Sequence, residues 1–204
     1  LPNDILDKEV AGVTELGANI FYKKKLGDDV SYKELKKDYD SVILTIGSQR
    51  GTLIGCEGDD AENVYSGIDF LRNMEMTGQK YDFAGKTVAV VGGGNTAMDC
   101  CRSARRLGSS DIKVVVRSGF DEMKASPWEK EDAIHEGIPI INYHVPTAFI
   151  HQHGKLTGMT FQIVQAVYDQ AGKRTLEPAS DTEVFFECDT VLLAVGQENA
   201  FPWI

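Results

Sequence analysis

The stretch Lys86–Gly108, KTVAVVGGGNTAMDCCRSARRLG, decides the fold of this chain. It opens with Thr87 to Val91, an unbroken valine-rich run that is typical of a strand buried on both faces of a parallel sheet. Three consecutive glycines follow, and from Ala97 onward small and apolar residues recur at helical spacing. We expect that helix to stop at Gly108. The stretch therefore predicts a strand, a tight turn and a helix.

The turn has the spacing Gly92-x-Gly94-x-x-Ala97, which is the Gly/Gly/Ala form of the dinucleotide-binding fingerprint. Gly92 permits the tight turn, Gly94 lets a pyrophosphate approach the backbone, and Ala97 lets the helix pack closely on the strand. A second β run, Ile112–Val116, completes the context that the motif needs. We expect phosphates to bind at the positive end of the helix. The alternative is a glycine turn that only packs a helix on a sheet.

Composition and charge exclude several classes of protein. The chain has 204 residues and a net charge of −10, which argues against nucleic acid and anionic lipid as partners. It has no apolar run of ~18 residues and no secretion signal, so we expect a cytoplasmic protein that does not cross a membrane. Its cysteines form no C-x-x-C, which favours buried, reduced thiols over a metal or iron–sulfur site. They are Cys56, Cys100, Cys101 and Cys188.

Two segments of the chain match in residue type, Asp40–Gly47 and Asp189–Gly196. Each has an aspartate, a hydroxyl residue, four apolar or small residues, a β-branched residue and a glycine. Each predicts a buried strand whose final glycine lets a ligand or a backbone come close. Because ligands in open α/β sheets bind at strand carboxyl ends, two such ends imply two nucleotide-binding lobes. The fingerprint at Gly92 serves the second lobe, and we expect the first lobe's fingerprint upstream of Leu1.

The remaining patterns place further elements along the chain. Helices are expected over Asp4–Leu16, Ser31–Lys37 with a Ser31/Glu34 capping box, and Ser66–Met76, and a short strand over 19–24. A further helix begins at Ser126-Pro127-Trp128-Glu129, another capping box, and a strand covers 138–141. From Thr147 the pattern becomes antiparallel. It includes 148–150, 156–168 and 183–187, with turns at 153–155 and 170–173.

The end of the second β run indicates which nucleotide binds. NAD and FAD fingerprints usually place a carboxylate there for the ribose 2′-hydroxyl, whereas this chain reads Val116-Arg117-Ser118. An arginine and a hydroxyl can hold a 2′-phosphate, so NADP(H) is favoured over NAD(H), and FAD is not expected at this fingerprint. The alternative for Arg117 is a solvated surface arginine. His151 and His153 form an H-x-H beside a hairpin turn, but no third metal ligand is evident, which favours a surface hairpin.

Five segments carry a resemblance to a known family. They are 1–10 (LPNDILDKEV), 38–48 (DYDSVILTIGS), 85–129 with the glycine turn, 136–140 (EGIPI) and 189–197 (DTVLLAVGQ). In family order they resemble the small (β) subunit of NADPH-dependent glutamate synthase and its relatives, which include the NADPH/FAD domains of dihydropyrimidine dehydrogenase. One departure is Arg117-Ser118, where many relatives have two consecutive arginines.

The resemblance implies a Rossmann-like α/β domain with a central parallel sheet and an antiparallel β-meander, inserted into an FAD-binding domain. On this basis we divide the chain into 1–47 (part of the FAD domain), 48–85 (linker), 86–196 (NADPH domain) and 197–204 (return to the FAD domain). It also implies four groups of site residues. They are Gly92, Gly93, Gly94, Asn95, Thr96 and Ala97 for the pyrophosphate; Arg117, Ser118 and Lys124 for the 2′-phosphate; Ala194, Val195 and Gly196 for the nicotinamide; and Thr45, Ile46 and Gly47 on the FAD side.

The function that this resemblance implies is hydride transfer from NADPH to FAD, with no catalytic side chain and no metal in this chain. Electrons would pass on to iron–sulfur clusters or to a partner that resembles the glutamate synthase large subunit. Alone, the chain is expected to be inactive. Two alternatives are a thioredoxin-reductase-like flavoprotein, which would need a redox C-x-x-C, and an NADP(H) sensor without turnover.

Overall fold

The computed structural model describes residues 3–201, apart from the side chains of residues 180–182. The chain divides into two compact units between Ile46 and Gly47. Within the described range, no helix combines the length and the apolar character that crossing a bilayer requires.

The first unit contains two helices, α1 (Asn3–Glu15) and α2 (Tyr32–Asp38). Both were predicted, and the capping box of α2 is confirmed: the Glu34 N–H donates to Ser31 Oγ, and Glu34 Oε2 accepts from the Ser31 N–H. The predicted strand over 19–24 is wrong, because these residues form turns and irregular backbone.

The predicted buried strand Asp40–Gly47 is also wrong. The segment has no regular secondary structure, and Ile43 is 85% exposed. A parallel strand is stable only when neighbouring strands satisfy its backbone N–H and C=O groups. None of the sheets in the described part of the chain includes this segment, so its strand-like composition has no ladder to join.

The second unit carries the remaining elements. The strands are β1 (Arg50–Gly51), β2 (Val64–Ser66), β3 (Thr87–Val91), β4 (Asp111–Val115), β5 (Ile140–Ile141), β6 (His144–Gln152), β7 (Lys155–Tyr168), β8 (Arg174–Glu187), β9 (Thr190–Leu193) and β10 (Gln197–Glu198). The helices are α3 (Gly67–Arg72), α4 (Asn95–Arg106) and α5 (Pro127–His135), with a π-helical turn at Asn73–Thr77 and a 3-10 turn at Phe120–Glu122.

A five-stranded parallel sheet forms the centre of this unit, in the order β2-β9-β3-β4-β5. Strand β3 has the predicted bounds, and it pairs with β4 on one side and β9 on the other. Strands β6, β7 and β8 form an antiparallel sheet, and β1 pairs with β10. The predicted α/β fold is therefore confirmed. The interval 48–85, expected as a linker, contributes β2 and α3 to this unit.

Both faces of the parallel sheet are covered, which explains the unbroken apolar sequence of β3. Alternate residues point to opposite faces. Val88 and Val90 pack in a cluster with the helices, through residues such as Phe70, Met98, Ala104 and Ala133. Ala89 and Val91 pack in a second cluster with the antiparallel sheet, through residues such as Phe149, Leu156, Met159 and Phe161.

Long-range contacts replace the predicted capping box of α5. The Ser126 side chain forms no cap; its Oγ accepts from Asn95 Nδ2 at 3.3 Å, and its N–H donates to Asn95 Oδ1 at 2.8 Å. Glu129 instead pairs with Arg102 of α4, which also contacts Glu136. The capping prediction is wrong because both residues find partners on α4. These contacts fasten the start of α5 to the glycine turn.

The first testable prediction concerns Phe70, which is 1% exposed and packs on Tyr81 and Phe83 with ring centroids 4.9 and 5.8 Å apart. Phe70→Ala leaves a cavity in the helical cluster and should cost about 3–5 kcal/mol of unfolding free energy. We expect the melting temperature to fall by about 6–20 °C in a circular-dichroism melt.

The matched control for this prediction is Phe185→Ala, because Phe185 is 52% exposed. It should lose at most about 1 kcal/mol. Equal losses for the two variants would contradict the assigned core.

Candidate functional site

A cavity of about 980 Å³ opens where β3, β4 and β9 end. In parallel α/β sheets this edge is where ligands bind. The cavity brings together most of the predicted site residues of the second unit, which are Gly92, Gly93, Gly94, Thr96, Arg117, Ser118, Lys124, Ala194, Val195 and Gly196.

The turn at Gly92 is fixed by the neighbouring strand ends. The Gly92 N–H donates to Val115 O at 3.0 Å, and the Ala194 N–H donates to Val91 O at 2.8 Å. Gly92 has φ +144°, and a Cβ atom there would lie 2.2 Å from Ala194 O. Only glycine fits, because backbone and not a movable side chain occupies the space.

Gly94 faces open space. It is the N-cap of α4 and has no side-chain cap, so the first N–H groups of the helix lack an intrahelical partner. No atom lies within 4 Å of the position that a Cβ of Gly94 would take. The turn thus forms a cradle beside the positive end of α4, which suits an anion.

Asn95 and Ala97 lie in the predicted motif but do not line the cavity. The Asn95 side chain bonds to Ser126, and Ala97, in the first turn of α4, is completely buried. Thr96 does line the cavity, and its Oγ1 accepts from Gln197 Nε2 at 3.2 Å. Asn95 and Ala97 therefore support the turn from behind.

Lys124 and Arg117 bring positive charge to the cavity. The Ala125 N–H donates to Gly93 O at 3.0 Å, which holds Lys124 next to the glycine turn. Arg117 follows β4, and the carbonyl of the next residue, Ser118, accepts from Asn142 Nδ2 at 2.9 Å. Both cations are exposed, and neither forms an ion pair with a carboxylate of the described residues. Their charges are thus free to meet an anion.

The structure adds a carboxylate and a third cation that the sequence did not single out, Glu122 and Arg174. Glu122 Oε2 accepts from the Gly119 N–H at 2.8 Å and from Arg174 Nη2 at 3.0 Å, and Oε1 accepts from Tyr168 Oη at 3.1 Å. The Gly119 N–H above all, and also Tyr168 and Arg174, hold the pKa of Glu122 below its usual value. The short spacing of Gly119 and Glu122 could have indicated their contact from the sequence. No neighbouring residue in the sequence indicates that Arg174 reaches this cavity.

The remaining wall of the cavity is set by the end of β9 and the start of β6. Gly196 O accepts from the Thr52 N–H at 3.1 Å, which fixes the backbone after Ala194. His144 also lines the cavity, and its Nδ1 lies 2.6 Å from Asn142 O. Because a carbonyl can only accept, this nitrogen carries the ring proton. These contacts hold the end of β9 and the start of β6 in place at the cavity.

The predicted FAD-side residues are Thr45, Ile46 and Gly47. They span the point in the sequence at which the two units divide, in the segment without regular secondary structure.

The described residues contain no group of three His, Cys, Asp or Glu residues placed to hold a metal ion. His151 lies on β6 and His153 in the turn to β7. All four cysteines are free thiols, and burial raises the pKa of Cys101 and Cys188 to about 12. Thiols with such pKa values are not nucleophiles at neutral pH.

Comparison with known proteins gives the family. A family model described as pyridine nucleotide-disulphide oxidoreductase matches residues 5–201. NADPH-Fe(3+) oxidoreductase subunit beta of Geobacter sulfurreducens is 36% identical over 211 residues, which cover 100% of this chain and 31% of the relative. The NADPH glutamate synthase small chain of Escherichia coli is 28% identical over 216 residues, which cover 100% and 46%. This chain thus spans less than half the length of these relatives.

Among solved structures, a mutant of FprA from Mycobacterium tuberculosis matches with a TM-score of 0.79 at 17% identity, covering 100% of this chain and 61% of FprA. That likeness shows a shared fold. The relatives confirm the predicted resemblance to the glutamate synthase small subunit. Since the family model matches nearly the whole chain, the chain belongs to the pyridine nucleotide-disulphide oxidoreductase family, whose members are oxidoreductases.

Proposed function

We propose that this chain is the NADPH-binding part of a flavin-dependent oxidoreductase that passes hydride from NADPH to FAD. The observation that carries the proposal is the open cradle at Gly94, next to the uncapped start of α4 and in one cavity with Arg117 and Lys124. Bound NADPH would supply the hydride, and the residues of this chain would bind and orient it.

The cradle suits the pyrophosphate for two physical reasons. The unpartnered N–H groups and the dipole of α4 favour negative charge at its N-terminus. The missing side chain at Gly94 lets phosphate oxygens reach those N–H groups. We therefore assign the turn and helix start over Gly92–Ala97 to the pyrophosphate, with the Asn95 side chain and Ala97 supporting the turn.

The cations at the end of β4 suit a 2′-phosphate. Arg117 and Lys124 are exposed and free of carboxylate partners among the described residues, and the Ser118 hydroxyl can donate a hydrogen bond. Residues 116–118 include no carboxylate to accept a ribose 2′-hydroxyl. The set favours NADP(H) over NAD(H).

The end of β9 suits the nicotinamide. Ala194 has a small side chain and Gly196 has none, with the larger Val195 between them. The backbone of Ala194 packs against the Gly92 turn. A flat ring lying against this backbone would have one face covered by protein and the other open to a flavin. We assign these three residues to orienting the nicotinamide.

The names of the relatives support NADPH as the electron donor and a partner subunit as part of the enzyme. Their names describe NADPH-dependent subunits, one of an Fe(3+) oxidoreductase and one of glutamate synthase. This chain spans 31% and 46% of their lengths, so further segments accompany the matched region in those proteins. We propose FAD beside Thr45–Gly47, an iron–sulfur or glutamate-synthase-like electron acceptor, and the division into 1–47, 48–85, 86–196 and 197–204.

Nucleotide preference gives the first test of this function. One charge-assisted contact to the 2′-phosphate contributes about 1.5–3 kcal/mol, so NADPH should bind roughly 10- to 100-fold more tightly than NADH in calorimetric titrations. Arg117→Ala should weaken NADPH binding more than NADH binding. It should also make NADPH binding less dependent on salt concentration.

The matched control for Arg117→Ala is Arg106→Ala, because Arg106 is an exposed arginine at the opposite end of α4. It should leave both affinities unchanged. Equal affinity of the unaltered chain for NADPH and NADH would contradict the proposal.

The two glycines of the turn give a second test. Gly94→Ala should fold normally, because its Cβ meets no protein atom. It should nevertheless lose at least tenfold in NADPH affinity, because the Cβ would occupy the space in which the phosphate lies. Gly92→Ala should lower the melting temperature as well, because its Cβ collides with Ala194 O. The measurements are thermal melts and calorimetry. Unchanged NADPH binding by Gly94→Ala would place the pyrophosphate elsewhere.

Flavin binding gives a third test. The 204-residue chain should be colourless and should not reduce a dye with NADPH, because its one glycine fingerprint is assigned to NADPH. A longer chain with the flanking segments found in the relatives should be yellow, and NADPH should bleach its flavin absorbance. Stoichiometric FAD on the 204-residue chain, with turnover, would overturn the assignment of Gly92–Ala97. A longer chain that binds no flavin would favour an NADP(H) sensor.

A further inference from the structure

Arg174 and Glu122 form a charge pair in the wall of the nucleotide cavity. Arg174 Nη2 donates to Glu122 Oε2 at 3.0 Å, and Arg174 Nε lies 2.9 Å from Oε1. Glu122 is the only carboxylate among the described residues that line this cavity. The pair is connected to the residues predicted to bind the 2′-phosphate, because the N–H of Gly119, which follows Ser118, also donates to Glu122.

Most of the acceptor capacity of Glu122 is used. An ionised carboxylate has about four lone-pair sites. Gly119, Tyr168 and Arg174 donate three hydrogen bonds to Glu122, and Arg174 Nε lies 2.9 Å from Oε1 as an ion-pair contact. A ribose hydroxyl would therefore have to compete with the Arg174 guanidinium for this carboxylate.

The antiparallel sheet delivers both outer partners of Glu122. Tyr168 ends β7 and Arg174 begins β8, and the two are paired across the strands. The turn between them is held by Asp169, whose Oδ1 accepts from the N–H groups of Ala171 and Lys173 at 2.9 and 2.8 Å. Arg174 is therefore placed by a tight hairpin end and not by a loose loop.

We propose that Arg174 is a specificity-determining residue for NADPH over NADH, an inference that rests on the proposed function. It adds a third cation to Arg117 and Lys124 at the 2′-phosphate. By pairing with Glu122 it also competes for that carboxylate with the 2′-hydroxyl of NADH, which is the group that a carboxylate in this region usually binds.

These two roles predict an asymmetric effect of removing Arg174. Without it, Glu122 presents an unpaired negative charge to the cavity, which repels a 2′-phosphate and accepts a hydrogen bond from a 2′-hydroxyl. Removing both charges cancels the repulsion. The single and the double variant therefore separate the loss of a cation from the exposure of an anion.

The test compares Arg174→Met, Glu122→Gln/Arg174→Met and the control Lys173→Met in the 204-residue chain. Lys173 is the exposed neighbour on the same turn, so its loss changes the net charge equally. Calorimetry measures NADPH and NADH affinities, and thermal melts verify the fold. Arg174→Met should weaken NADPH about tenfold or more and leave NADH unchanged or tighter. The double variant should regain part of the NADPH affinity, and Lys173→Met should change neither.

Equal losses of NADPH and NADH affinity in Arg174→Met, or no loss of either, would overturn the inference. So would a double variant no better than the single one. Failure of the proposed function looks different, because then the unaltered chain binds neither nucleotide, or Arg117→Ala does not discriminate between them. If Arg117→Ala discriminates and Arg174→Met does not, only the inference about Arg174 fails.

Discussion

The close approach of Gly92 to the Ala194 carbonyl is the constraint on which the rest of the structure depends. A Cβ atom at Gly92 would lie 2.2 Å from that oxygen, so the ends of β3 and β9 can meet only around a glycine. Hydrogen bonds from Gly92 to Val115 and from Ala194 to Val91 tie a third strand end to the same point. With the turn held on that side, Gly94 faces open space at the start of α4. Backbone contacts, rather than side chains, therefore set the shape of the cradle.

The antiparallel sheet both stabilises the parallel sheet and places charged groups in the cavity. Met159 and Phe161 of β7 cover the face of the parallel sheet that carries Val91 and Leu193. Val91 is the last residue of β3, just before the glycine turn, and Leu193 is the last residue of β9. Without this cover a parallel strand would expose apolar surface to water. The far end of the same β7–β8 hairpin places Tyr168 and Arg174 on Glu122. One element thus stabilises the strand ends and completes the charge distribution beside them.

The separation in sequence between contacting residues explains which features could be predicted from the sequence. The helix over Asn95–Arg106, the Ser31 capping box and the β6–β7 turn have their sequence signals within a few residues, and the structure has them as predicted. Strand β3 was also predicted correctly, because its partner strands β4 and β9 are present in the chain. The strand expected over Asp40–Gly47 needed partner strands, and the capping box of α5 lost Ser126 and Glu129 to α4. For the site, the glycines and Arg117 carry a local motif. Arg174 stands 52 residues from Glu122, and only the pairing of β7 with β8 brings it there.

The charge distribution explains why the pairing of Glu122 matters in this chain. The net charge of −10 would by itself disfavour an anionic ligand. At physiological salt, however, exposed charges beyond about 8 Å are largely screened, so the groups inside the cavity decide. There the described lining residues supply three cations, Arg117, Lys124 and Arg174, and a single carboxylate. Because Glu122 is already neutralised by Arg174, the field at the end of β4 stays positive although the molecule is acidic. An unpaired Glu122 would work against the other two cations of the same cavity, so under the proposed function its pairing with Arg174 favours a phosphate there.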